Sequence, residues 1–190
     1  MDGGIIVIIS ILLVLIVVMV MVGASKYNKM VKYRNKVKES LSLVDIHLKL
    51  RFDLIPNLVN VVKGYSKHEL EVFSKLIEIR KKAVDANDEK EKLEYANELI
   101  PNMRHLLMVA EDYPDLKADA LYKSLMEELV IVEDKIAASR RFYDSNVSEY
   151  NTVISTFPNN VFSSMFGFKE MELFKIDVGE NFAVKINMGE

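Results

Sequence analysis

Hydrophobic and polar positions alternate along most of this chain in steps of three and four. Between Tyr27 and Gly64, the residues Met30, Tyr33, Val37, Leu41, Val44, Leu48, Phe52, Ile55, Leu58 or Val59, and Val62 repeat at the spacing of one helix face. The face stays in phase through Pro56, so the pattern predicts one long helix, kinked where an amide donor is missing. Gly64 closes it. Ser66-Lys67-His68-Glu69 then has the form of a capping box for a second helix with Leu70, Phe73, Ile77 and Val84 on its buried face. The polar patch from Asp85 to Lys92 breaks the pattern, and Asp88 and Glu91 are spaced to cap a third helix. That helix carries Leu93, Ala96, Ile100, Met103, Leu107 and Ala110, with Pro101 a point for a kink, and must stop near Tyr113-Pro114. Leu121, Leu125, Leu129, Val132, Ile136, Tyr143, Val147, Tyr150, Ile154 and Phe157 keep step along a fourth helix, which Pro158 ends. A short helix is expected near residues 160–166. A weak strand or hairpin follows from the alternation Phe182-Ala183-Val184-Lys185-Ile186.

Short connections between helices favour antiparallel neighbours. The expected fold class is therefore all-α: an N-terminal transmembrane helix in residues 1–25, an elongated antiparallel four-helix bundle in 26–158, and a Phe-rich tail in 159–190. The membrane helix rests on Ile5 to Val22, where Ser10 is the only polar residue, inside an uncharged run from Gly3 to Ser25. At roughly 1.5 Å per residue that run crosses the roughly 30 Å hydrocarbon core. Val22-Gly23-Ala24 resembles a small-residue cleavage site, but the residues ahead of the run include no Lys or Arg, only Asp2, and the run exceeds a signal peptide's apolar stretch. A retained, single-pass cell-membrane anchor is the expectation.

Lys26, Lys29, Lys32, Arg34, Lys36 and Lys38 follow the span before any acidic residue. The positive-inside rule then places the N-terminus outside and the domain in the cytoplasm, an extracytoplasmic domain being the alternative. These cations would either hold anionic headgroups or form a solvated helix base. The tail phenylalanines Phe162, Phe166, Phe168, Phe174 and Phe182 would either pack on the bundle or dip into the bilayer interface.

Composition narrows the chemistry. A net charge of -3 gives no reason to expect nucleic acid, and the absence of cysteine excludes disulfides, thiol nucleophiles and Cys-ligated metal. Beyond the span, Gly64, Gly167, Gly179 and Gly189 are too sparse for a phosphate-cradling loop. His47, His68 and His105 fall on three different helices without an HExxH partner, and no serine sits in a GxSxG elbow. No cofactor, metal, small-molecule substrate or enzymatic activity is expected. Glu111, Asp112 and Asp115 around Tyr113-Pro114 read either as an acidic recognition surface or as a tight turn with Asp115 as N-cap.

Charged residues also fall on the apolar stripes. If the first and fourth helices run antiparallel with residue 27 level with about 157, Asp45 faces Arg140, Arg51 faces Glu133, and Arg34 meets Glu149 or Tyr150. Such pairs would fix the register of the two longest helices, because removing one partner of a buried pair strands the other. A competing reading makes Asp53, Asn57, Glu111 and Tyr113 a recognition site, which requires them to converge on an open cleft.

Four segments together resemble the LemA family of bacterial and archaeal membrane proteins. They are Tyr27-Asn28 with Arg34-Asn35; Val44-Asp45-Ile46-His47-Leu48 running through Arg51-Phe52-Asp53-Leu54-Ile55-Pro56-Asn57-Leu58-Val59 to Lys63-Gly64-Tyr65; Glu111-Asp112-Tyr113-Pro114-Asp115-Leu116-Lys117-Ala118; and Glu133 through Arg140-Arg141, Tyr143, Asn146 and Tyr150-Asn151 to Phe157-Pro158. The resemblance covers nearly the whole chain. It departs at His47, where the family usually has Gln, at Leu50, usually basic, and at Asp119 and Asp144, usually Asn. It implies a membrane-anchored helical bundle with no recognised cofactor and no established enzymatic activity. The function expected is a non-enzymatic scaffold or adaptor working through its helix faces. Its partners would be the lipid bilayer and either further copies of itself or another membrane protein. The alternative is a protein that binds or remodels the membrane surface with its basic juxtamembrane helix and aromatic tail.

Overall fold

The computed structural model describes residues 2–66 and 70–174, and among the described residues the chain is all-helical, with no strand. The helices are α1 (Asp2–Tyr65), α2 (Leu70–Asp85), α3 (Glu89–Glu111), α4 (Pro114–Ala118), α5 (Ala120–Ser155) and α6 (Asn159–Phe166). The expected capping box at 66–69 lies partly, and the expected strand at 182–186 wholly, outside the described residues.

The first helix is 64 residues long and passes without interruption from the apolar run into the amphipathic stretch and through Pro56. Residues 3–22 are exposed all round. A helix apolar on every side has no solvated face, and it is long and apolar enough to cross a bilayer. Further along, the side chains select one face: Met30, Val37, Val44, Leu48, Phe52, Ile55, Leu58, Val59 and Val62 are buried.

The chain divides into two compact units, residues 2–42 with 140–174 in one and residues 43–139 in the other. In the first, Met30 and Val37 of α1 form a core with Val147, Tyr150 and Ile154 of α5, and Tyr33, Phe162, Phe168 and Met171 pack against it. In the second, α2 and α3 make a hairpin with Lys75 3.5 Å from Glu98, and the short α4 precedes α5.

The structure corrects the buried face of α2. Phe73, Leu76, Ile79 and Ala83 are buried, whereas Leu70, Ile77 and Val84 are exposed. At roughly 100° per residue, 76, 79 and 83 share one narrow arc, and 70, 77 and 84 lie about a quarter-turn or more away from it. Both sets satisfy a helical period, and neighbouring helices choose between them. In α5 Leu121 is likewise exposed while Tyr122 is buried, and Phe157 lies past the helix end, exposed.

Candidate functional site

Two groups of polar contacts stand out, one in each unit. In the first unit, the segment 168–174 runs without secondary structure and is held to α5 by side chains. Asn151 does this at two points: its Nδ2 donates to the Met171 carbonyl at 2.9 Å, and its Oδ1 accepts from the Met171 amide at 3.0 Å. The Tyr150 hydroxyl donates to the Lys169 carbonyl at 3.0 Å, the Tyr143 hydroxyl to the Glu172 carbonyl at 3.2 Å, and Asp144 Oδ1 accepts from the Phe174 amide at 2.9 Å. Tyr143 and Asp144 stand one heptad before Tyr150 and Asn151, so all four lie on one side of α5. They supply hydrogen-bond partners to a backbone that has neither helix nor sheet to satisfy it. An Asp serves at 144 because the bond needs only an acceptor there.

The phenylalanines of this segment turn inward. Phe168 lies under the Arg34 guanidinium, 5.3 Å away, and 5.7 Å edge-on to Tyr27; Phe174 lies under Arg140 at 5.7 Å and 4.7 Å from the Tyr143 ring. Burial raises the Tyr150 phenol above its ordinary value, with Arg34 pulling the other way. Of the cations that follow the span, Arg34 is therefore half-buried against Phe168, and Lys36 pairs with Glu149 at 3.5 Å and stands 4.8 Å from the Tyr33 ring. Lys29, Lys32 and Lys38 are exposed and Lys26 is half-buried. Phe182 lies outside the described residues.

In the second unit the central polar group is Arg51, 1% exposed. Its Nη2 donates to the Ala96 carbonyl of α3 at 3.0 Å, and its Nη1 lies 3.3 Å from Glu133 of α5. Asp45, also in this unit, accepts from Lys92 Nζ at 2.7 Å. Arg140 belongs to the first unit.

Of the residues expected to form a recognition surface, Asp53 pairs with Arg80 at 3.4 Å, Tyr113 donates to Ser66 Oγ at 3.3 Å, and Asn57 and Glu111 are exposed. An open cleft of about 520 Å³ lies at the α2–α3 turn, lined by Glu78, Lys81, Lys82, Asp85, Ala86, Asn87, Glu91 and Tyr95, and none of those four residues borders it. Glu78 and Lys82 pair at 2.6 Å on its wall, and the lysine holds the carboxyl below its ordinary value. His47 is half-buried and His105 exposed, and among the described residues no group of three His, Asp or Glu could hold a metal ion.

The helix caps also differ from expectation. The backbone cap of α4 is Tyr113, which leaves Asp115 in the first turn, and the carboxylate that caps a helix is Asp119. Asp119 Oδ1 accepts from the Leu121 and Tyr122 amides at 2.8 and 3.0 Å, and its Oδ2 from the Tyr65 hydroxyl at 2.8 Å. The Tyr122 amide and then the Tyr65 hydroxyl hold the carboxyl below its ordinary value, and the same bond raises the Tyr65 phenol. Asp88 makes no side-chain cap bond to α3. Asp119 was legible as an Asx residue just ahead of an apolar-periodic run. Asp115, which follows Pro114, lies inside the first turn of α4 and so past the capping position.

The family model described as the LemA family matches residues 40–188. Among curated proteins, the chain is similar to Protein LemA of Metamycoplasma hominis, at 27% identity over 168 residues that cover 84% of this chain and 77% of that protein. It is also similar to Magnetosome protein MamQ of Magnetospirillum gryphiswaldense, at 23% identity with coverage of 78% and 64%. Magnetosome protein MamQ 1 of Paramagnetospirillum magneticum is 25% identical, with coverage of 79% and 65%. The chain thus spans a little under two thirds of the magnetosome proteins it matches.

Proposed function

This chain belongs to the LemA family, and from that premise we propose that it is a membrane-anchored, non-enzymatic scaffold or adaptor. It offers the outer sides of its helices to copies of itself or to another membrane protein. The observation that carries this reading is that α1 is apolar on two sides in the second unit. Val44, Leu48, Phe52 and Ile55 are buried, while Leu43, Ile46 and Leu50 form an exposed row on the opposite side. Leu70, Ile77 and Val84 make a second exposed row, at seven-residue spacing, on α2. Helices that need only one buried face carry polar residues on the other, and apolar rows at heptad spacing suit a partner helix. The names LemA and MamQ, neither of them an enzyme's, agree with a non-enzymatic role.

In this proposal the parts of α1, α2, α3 and α5 within the second unit form an antiparallel four-helix bundle, with Arg51 and Glu133 as its register pair. The same proposal puts the N-terminus outside and the domain in the cytoplasm of a single-pass cell-membrane protein, a reading supported by the cations Lys26, Lys29, Lys32, Arg34, Lys36 and Lys38 that follow the apolar run.

The chain has no cysteine, so a single introduced thiol reports one position. Ile46→Cys and Leu50→Cys in native membranes should give a discrete covalent dimer or heterocomplex with a bifunctional maleimide. Glu128→Cys, exposed on α5, should not. Equal yields at all three positions would end the scaffold reading.

A further inference from the structure

We propose that the stretch from Phe157 through α6 lies in the bilayer interface, with Phe157, Val161 and Met165 inserted among the acyl chains where α1 leaves the hydrocarbon. This goes beyond the scaffold reading and does not depend on it.

The placement of α6 is firm at two sides. Helix α5 ends at Ser155, so its last carbonyls lack helical donors. Residues of α6 supply two of the donors: Asn159 Nδ2 to the Val153 carbonyl at 2.9 Å, and Ser163 Oγ to the Ile154 carbonyl at 2.8 Å. Asn159 and Ser163 are buried for that reason. The second side faces α1. Phe162 packs over Gly23, its ring carbon 3.5 Å from where a Cβ would stand, and Phe166 meets Tyr27 edge-on at 5.1 Å. Gly23 and Tyr27 bracket the end of the uncharged run at Ser25. At its far end α6 stops at Gly167, in the left-handed conformation at φ 72, with the Phe168 amide on the Ser163 carbonyl at 2.9 Å.

With those sides occupied, the exposed side of α6 carries Val161 and Met165 next to the small polar Asn160 and Ser164, and Phe157 stands just ahead of the helix. Phe157 is 79% exposed, Val161 59% and Met165 66%. Val161 and Met165 are one turn apart, and each is two residues, roughly 200°, round from Asn159 and Ser163 respectively. The sequence Asn159-Asn160-Val161-Phe162-Ser163-Ser164-Met165-Phe166 carries no charge, so no ionised group in α6 opposes burial at the headgroup boundary, where Asn160 and Ser164 can keep polar partners. The exposed Lys29 and Lys32 lie just beyond, where headgroup phosphates would be. Lipid is thus the occupant that location favours: the bare face belongs to a helix fixed by its rings to the last residues of a membrane span. The phenylalanines of the following segment, by contrast, point into the first unit.

The test uses the full chain in phosphatidylcholine vesicles, with an environment-sensitive fluorophore on Val161→Cys or Met165→Cys and on the control Met108→Cys, which is 55% exposed in the second unit. Lipids brominated on the acyl chain should lower emission from both α6 probes by about twofold or more, as expected for side chains roughly 5–10 Å into the interface. Aqueous iodide should quench the control alone. Met165→Asp should abolish the bromolipid effect on a probe at 161 without changing the melting curve, and persistence of the effect would overturn insertion through this face. Iodide quenching of the α6 probes equal to the control's would overturn the proposal. So would protection from both quenchers that grows with protein density, the signature of a second copy covering the face.

Discussion

The guanidinium of Arg80 donates its Nε hydrogen to the carbonyl oxygen of Phe52, 3.2 Å away. Phe52 stands four residues before Pro56, which has no amide to offer that carbonyl. A side chain of α2 thus supplies the hydrogen bond that the proline removes from α1. The accompanying Arg80–Asp53 contact, with Asp53 more than half exposed, contributes little. Arg80→Met should cost about 1–2 kcal/mol, the expense of leaving the carbonyl unpaired. In a Pro56→Ala background, where residue 56 regains its amide, the same substitution should cost clearly less. Denaturant midpoints of the four variants in detergent measure the coupling, and equal costs in both backgrounds would refute this role for Arg80.

Arg51 is almost wholly buried between the Ala96 carbonyl and Glu133. Deleting it leaves a part-buried carboxylate and a carbonyl without their donor, so Arg51→Ala should destabilise by about 3–5 kcal/mol. Arg51→Met with Glu133→Leu removes both charges at similar volume and should recover most of that loss. A loss from Arg51→Ala below about 1 kcal/mol, the level of an exposed pair, would show that the site is solvated.

Asn151 holds Met171 through both of its amide groups. Asn151→Ala should free the 168–174 segment, and the amides of Met171 and Phe174 should exchange with solvent about tenfold faster or more, as for about 1.4 kcal/mol of lost protection. Tyr150→Phe removes one contact and should have a smaller effect. Unchanged exchange in Asn151→Ala would mean that ring packing by Phe168 and Phe174 holds the segment unaided.

The Asp119 carboxylate is held below its ordinary value by the Tyr122 amide and the Tyr65 hydroxyl. A depressed carboxyl contributes stability that is present above its unfolded value near 4 and lost as pH falls through the lower folded value. The melting-temperature gap between the native chain and Asp119→Ala should therefore be open at neutral pH and close on acidification below about pH 4. Tyr65, raised by the same bond, has the opposite sign. Its contribution is complete below the ordinary phenol value near 10 and disappears as pH rises through the folded value, so Tyr65→Phe should lose its effect at strongly alkaline pH. An acid-independent gap for Asp119→Ala would show that the carboxylate's charge is not what caps α5.

What was legible in the sequence was what short windows determine. The all-helical class follows from the three-and-four spacing. A helix long and apolar enough to cross a bilayer follows from the uncharged run before Lys26, and the buried face of α1 from a stripe repeated often enough that one phase fits. The short helix after Pro158 was legible too, and α6 is Asn159–Phe166. Tertiary structure decided the partners. Leu70, Ile77 and Val84 satisfy a helical period as well as Leu76, Ile79 and Ala83 do, and only the helices beside α2 select the second set. The donor for the Phe52 carbonyl could be foreseen as a need, arising from Pro56, but not as Arg80. Likewise Lys92 at Asp45, Ala96 at Arg51 and Met171 at Asn151 lie 20 to 47 residues away. Periodicity states which way a side chain points from its own helix axis. Which group meets it there depends on the position and rotation of a second segment, and those are set only when the elements pack.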